Sequence, residues 1–114
     1  MLHMSTINGV YRHEPSATTL TLTEGDDRTG SFTGTLSLSG IDHPLAFGNF
    51  HFKHGFSTGT IAITFSTQMT DGRRQAWVMF SADQTYARLR AMGSAADLSG
   101  DVALTGLEFV RQEP

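Results

Sequence analysis

A chain of 114 residues with a formal net charge of −3, a pI near 5.9 and no cysteine has room for one hydrophobic core and not for a second. That charge balance argues against non-specific nucleic-acid or anionic-membrane binding, and the lack of cysteine removes disulfides, thiolate nucleophiles and cysteine metal sites. No apolar run approaches the ~20 residues of a bilayer span, and "MLHMSTINGV" has neither the basic nor the continuous apolar segment of a signal peptide.

Met1 to Met4 are set aside from the fold reading, because "MLH" precedes a second plausible start at Met4; they are expected to be vector-derived or disordered. Residues 5–112 are then expected to form a single domain. Short alternating runs separated by turn residues predict an all-β chain. The first strand is expected over Thr6 to Arg12. The second covers Thr18 to Glu24, "TTLTLTE", with Leu20 and Leu22 on one face. "GDDRT" follows as a turn, since acidic side chains there can accept hydrogen bonds from nearby backbone and Gly tolerates positive φ. The third strand, "GSFTGTLSLSG", puts Phe32, Gly34, Leu36 and Leu38 opposite a row of Ser and Thr.

The fourth strand is expected over Pro44 to Lys53, with Phe47 on one face, Phe50 and Phe52 on the other, and a bulge or bend at Gly48. The fifth, Thr58 to Thr67, places Ile61, Ile63 and Phe65 together. Asp71-Gly72 is a hairpin signal. The sixth, Arg74 to Ala82, is apolar on both faces, Trp77 and Met79 against Ala76, Val78 and Phe80, so both faces are expected to be covered. The seventh, Thr85 to Met92, has a composition that suits a helix nearly as well. The eighth runs from Val102 to Arg111. Eight sequential strands leave two exposed edges unless they close, so an up-and-down barrel is expected, with a two-sheet sandwich as the alternative.

Several fragments, taken in order, resemble the avidin and streptavidin family. "NGVYRH" is similar to its Gly-x-aromatic opening, with Gly9 and Tyr11 where the family has Gly and Trp. "GSFTGTL" is similar to its third strand, "ITFSTQMT" to the segment lining its pocket after strand five, and "LEFVR" to its last strand. The resemblance implies an eight-stranded antiparallel up-and-down β-barrel that binds a small molecule in its lumen. It also implies that most of the biotin-binding groups are missing. His13 stands at the first-strand Asn position and Ser16 matches a Ser. Leu36 replaces a Tyr and Leu107 an Asp or Asn. Ile63 replaces a box Trp, and the only Trp is Trp77. Each unmet polar group on a buried ligand costs roughly 1 to 3 kcal/mol, so tight biotin binding is not expected.

Other constellations are read as structural. His43, His51 and His54 lie among phenylalanines, but a spacing of three puts His51 and His54 on opposite strand faces; exposed or turn histidines are expected rather than a metal site. No nucleophile-elbow motif or His-carboxylate-hydroxyl set emerges, so no enzyme activity and no cofactor are expected. Arg73, Arg74, Arg88 and Arg90 are read as a solvated rim and not as an anion site, and "EGDDRTG" as a hairpin and not as a calcium loop.

The combined expectation is a non-enzymatic barrel with Phe32, Leu36, Leu38, Ile63, Phe65, Trp77 and Leu107 as lumen walls. His13, Ser16, Ser66 and Thr70 are its polar contacts at the mouth. The expected partners are a small apolar ligand and further copies of the chain, with no nucleic acid or membrane. The competing expectation is an oligomeric structural or protein-interaction module in which the same side chains fill the barrel.

Overall fold

The structure, a computed structural model, describes residues 7–38, 40–51, 61–68, 74–82, 85–96 and 102–113. Eight antiparallel strands close in sequence order into an up-and-down barrel. They are β1 (Gly9–His13), β2 (Thr18–Asp26), β3 (Ser31–Leu38), β4 (Ile41–His51), β5 (Ile61–Gln68), β6 (Arg74–Ser81), β7 (Arg88–Ala96) and β8 (Val102–Arg111). A short 3-10 turn, Glu14–Ser16, joins β1 to β2. The closed barrel replaces the sandwich alternative. No helix among the described residues is long and apolar enough to cross a membrane.

The alternation that identifies the strands also fills the interior. Leu20, Leu36, Ile63, Met79, Leu89 and Phe109 have no exposed surface, and Leu22, Phe50 and Ile61 are almost as fully buried. Two glycines shape the wall around Phe32. At Gly34 (φ +153°), a Cβ would lie 1.9 Å from the Thr21 carbonyl oxygen, so β3 can approach β2 this closely only without a side chain. At Gly48, a Cβ would lie 2.5 Å from the Phe32 carbonyl oxygen and 2.8 Å from its ring. Gly48 belongs to the bulge expected from the sequence: the β4–β5 register shifts between Ala46 and Asn49. In that bulge Phe47 takes φ +56° and turns outward, while Phe50 points into the core.

Three expected boundaries are corrected. β4 begins at Ile41 and not at Pro44, which makes His43 a strand residue. β1 begins at Gly9 rather than Thr6, because Ile7 and Asn8 are used to close the barrel end. The seventh segment is a strand, starting three residues later than expected, because Tyr86 (φ +52°) breaks the extended run before Arg88. Its register against β6 and β8 is continuous, so pairing on both sides overrides a composition that suited a helix. "GDDRT" forms the expected turn: the Arg28 amide donates to Asp26 Oδ1 at 2.8 Å, and Gly30 has φ +72°. On β6, Trp77 and Met79 face inward, but Val78 and Phe80 remain 40% and 44% exposed. The single chain therefore leaves uncovered the face that was expected to be covered.

Closure rests on a seam between β1 and β8, where Tyr11 faces Arg111 and Arg12 faces Val110. The Arg111 guanidinium reinforces it, donating from Nη1 to the Tyr11 hydroxyl at 3.0 Å and from Nη2 to the Asn8 carbonyl at 2.7 Å. Tyr11 in turn donates to the Ile7 carbonyl at 2.7 Å. These groups seal the end of the barrel that carries the N-terminus of β1. Burial raises the Tyr11 phenol to about 12, with the charge and hydrogen bond of Arg111 opposing the rise. Tyr86, also fully buried, is raised by burial first and by Asp27 and Tyr11 second.

Both phenols therefore ionise more readily in the unfolded chain, where the ordinary value is about 10. The stability their neutral forms confer is complete below about pH 10 and is lost as pH rises towards about 12. In an alkaline titration, phenolate absorbance should stay low through pH ~10 to 11 and rise together with loss of the near-ultraviolet circular dichroism. Ionisation near pH 10 with the tertiary signal intact would show that neither phenol is buried as described.

Candidate functional site

The opposite end of the barrel carries the β1–β2, β3–β4, β5–β6 and β7–β8 connections. It differs from the sealed end in chemistry. Besides His13 at the lip, strand parity places four polar residues inward there among the described side chains, and three of them are buried: Thr18 at 3% exposure, His43 at 3% and Thr67 at 0%. The fourth, Gln75, is half-buried. Its Oε1 accepts from the Trp77 indole Nε1 at 3.2 Å and from the Thr67 hydroxyl at 3.4 Å. This shared acceptor fixes the indole edge-on to the polar end, which leaves the ring face for packing.

Aromatic rings continue inward from that end. Trp77 stacks on Phe65 at 6.1 Å, Phe65 meets Phe32 edge to face at 6.3 Å, and Phe32 packs on Phe50 at 6.3 Å. On the other side, Trp77 meets Phe109 at 6.4 Å, and Phe109 meets the His13 ring at 6.2 Å. Separations of this kind suit the ring quadrupoles and stabilise each pair beyond area burial by about 0.5 to 1.5 kcal/mol.

The lip over this end is a relay of three side chains. His13 Nδ1 and the Ser16 hydroxyl are 2.6 Å apart, and Ser16 and Thr18 hydroxyls are 2.7 Å apart. The turn that carries Ser16 is closed by Ala17 at φ +52°, whose amide donates to the Glu14 carbonyl. Outside it, Arg12 pairs with Glu14 at 2.9 Å and donates to the Thr19 hydroxyl at 2.9 Å. Glu14 is thereby directed away from His13, and among the described residues no hydroxyl, imidazole and carboxylate converge here.

The expected wall residues Phe32, Leu36, Ile63, Phe65 and Trp77 are buried in the core, and Leu38 and Leu107 pack against it half-buried. His13 and Ser16 come together at the lip. Ser66 stands on the outward face of β5, where its hydroxyl donates to the Ala46 carbonyl at 3.4 Å, so it is not brought to the lumen. Thr70 lies outside the described residues, as do His54 and Arg73. His43 is not an exposed or turn histidine: starting β4 at Ile41 puts it on the inward face, opposite Leu36. Arg88 and Arg90 are exposed on the outer face, with Glu108 at 2.6 and 3.9 Å.

Thr18, His43, Thr67 and Gln75 are the polar site residues that motif reasoning missed. Parity was the available signal for Thr18, which alternates with Leu20 and Leu22, for Thr67, which alternates with Ile63 and Phe65, and for Gln75, two residues before Trp77. For His43 the signal was hidden by Pro44, which suggests the start of a strand.

Comparisons of the chain with protein-family models, curated proteins and solved structures return no match. The class rests on geometry alone: a closed, eight-stranded, antiparallel up-and-down barrel, one end sealed by Arg111 and the other lined by buried polar groups. Nothing in those comparisons ties it to the avidin and streptavidin family in particular.

The stacked pair at the centre of this end gives a direct test of the geometry. Phe65→Ala should reduce unfolding stability by about 3 to 5 kcal/mol, the usual cost of deleting a buried aromatic ring. It should also shift the emission of the only tryptophan, Trp77, to longer wavelength as solvent reaches the vacated face. Denaturant unfolding and fluorescence spectra check both; unchanged emission would mean that Trp77 does not stack on Phe65.

Proposed function

We propose that the protein is a small-molecule-binding barrel of avidin-like shape that takes an apolar ligand into the polar, loop-rich end of its lumen and performs no chemistry on it. One observation carries this reading. Among the large buried inward-facing side chains, residual surface is concentrated on Leu45 (9%), Phe32 (6%), Trp77 (5%) and Phe65 (3%), while Leu20, Leu36, Ile63 and Met79 have 0%. Leu45, Trp77 and Phe65 lie on the side of the Thr67–Gln75 pair and give that end of the lumen a largely aromatic wall with some accessible surface, whereas Phe32 lies towards the other end, at the start of β3. An apolar wall with a few convergent polar groups is the usual composition of a small-molecule site.

Biotin fits this wall poorly. Leu36 is fully buried and Leu107 half-buried, and neither offers a hydrogen bond to a ureido group. Two such losses at roughly 1 to 3 kcal/mol each weaken binding by orders of magnitude.

A second reading is favoured by the ring series itself: rings in successive contact from Phe50 to His13 would simply fill the barrel of an oligomeric structural module. The uncovered outer face of β6, with Val78 and Phe80 beside Ala62, Thr64 and Ser66 of β5, suits a second copy under either reading. Native mass spectrometry of freshly purified protein reports subunit number and retained ligand together. Titration with a naphthalene probe then separates the readings. Ligand binding predicts saturable quenching of Trp77 at one probe per barrel; a filled barrel predicts no change in Trp77 emission at any probe concentration that leaves the protein folded.

A further inference from the structure

We propose that His43 is the anchor of an anion subsite in the lumen, so that the preferred ligand is an apolar weak acid, bound with its carboxylate against the His43 imidazole. This rests on the reading of the lumen as a ligand site. His43 is 3% exposed and stands on the inward face of β4, and neither ring nitrogen has a hydrogen-bond partner among the described residues. Among the described residues the Tyr86 hydroxyl is the one fully buried polar side-chain atom without a partner; the His43 nitrogens, also without one, therefore keep a trace of accessible surface, through which a hydrogen-bonding group from outside the chain can reach them.

The surroundings select the charge of that complement. Across the sheet His43 faces Leu36 on β3, and Leu38 lies on the same face. On its other side Leu45 faces Thr67 of β5, which makes Thr67 a diagonal neighbour of His43. Thr67 in turn faces Gln75 of β6. Asp42, next to it in the chain, is exposed on the outer face, and so is Arg74 beside Gln75. Among the described strand residues that face inward at this end, none is a carboxylate, and the only groups that can become cationic are His43 and His13. Among these described side chains a ligand cation would find no counter-charge, whereas a carboxylate would find an imidazole and neutral hydroxyl and amide groups. The aromatic wall of Phe65 and Trp77 beyond them suits an apolar, flat body.

A carboxylate brought beside an imidazole favours its protonated form. Uptake of the acid therefore draws a proton onto His43 from solvent wherever the imidazole is neutral beforehand. The neutral amide of the same acid draws none.

Calorimetric titration of the full chain with naphthoic acid and with naphthamide, at about pH 8 in two buffers of different ionisation enthalpy, tests this. Both probes are expected to bind, the acid about tenfold or more tightly, because a charge-assisted hydrogen bond is roughly twice as strong as a neutral one. Only the acid's heat should depend on the buffer, and the dependence should report proton uptake. His43→Gln, which keeps a polar side chain but cannot take up a proton, should abolish both the preference and the buffer dependence while the amide still binds. His43→Leu should do the same, with near-ultraviolet circular dichroism confirming the fold of each variant. Equal affinities for acid and amide, or an acid preference that survives His43→Gln, would overturn the assignment of His43 while leaving lumen binding intact. Failure of both probes to bind would overturn the lumen reading and the subsite with it.

Discussion

The Arg111 guanidinium reinforces the seam that holds the first strand to the last, and the closed barrel depends on that seam. β1 has five residues and meets β8 over Tyr11–Arg111 and Arg12–Val110, with the Gln112 amide adding a bond to the Val10 carbonyl at 2.8 Å. Hydrogen bonds that involve a charged partner contribute about 1.5 to 3 kcal/mol each. Arg111 makes them to Tyr11 and to the Asn8 carbonyl, which precedes β1. Without the seam that this clasp reinforces, the sheet would be a meander with two open edges, a form prone to pairing with other chains. The clasp also explains why the two ends of the barrel differ: the end it occupies is filled by the buried side chains of Ile7, Tyr11 and Tyr86.

At that other end the architecture sets hydroxyl, amide and imidazole groups against an aromatic wall. Gln75 is the organising side chain, since one acceptor orients both the Thr67 hydroxyl and the Trp77 indole. The His13–Ser16–Thr18 relay performs a similar task at the lip, using the tight turn at Ala17 to bring Ser16 back over the strand ends. Neither group of side chains contains the oriented carboxylate that a general-base mechanism would use.

Much of the fold was legible because period-two alternation is a strong signal when one face fills a lumen. Phe32, Leu36 and Leu38 on β3, and Ile61, Ile63 and Phe65 on β5, announced both strand and facing. β7 was the least legible strand because its state is decided by partners on both sides and not by local preference, with Tyr86 at positive φ marking where the strand can begin. The site was less legible than the fold. Ser66 looked like a mouth residue by analogy, but strand parity turns it outward. His43 looked like a turn residue, because a proline follows it, although Pro44 lies in the strand interior. Register, which depends on the Gly34 and Gly48 irregularities, decides which polar side chains share the lumen, and no motif encodes it.

The central claim is that one side chain reinforces the seam that closes the barrel, and amide hydrogen exchange on Arg111→Met tests it most directly. This substitution keeps the length of the side chain and removes its charge and donors. The account predicts that protection falls by about a hundredfold or more along β1 and at Gln112, while the β5–β6 ladder keeps most of its protection, because local opening of a seam exposes only the strands that border it. A uniform loss across all strands, or no loss on β1, would contradict the account.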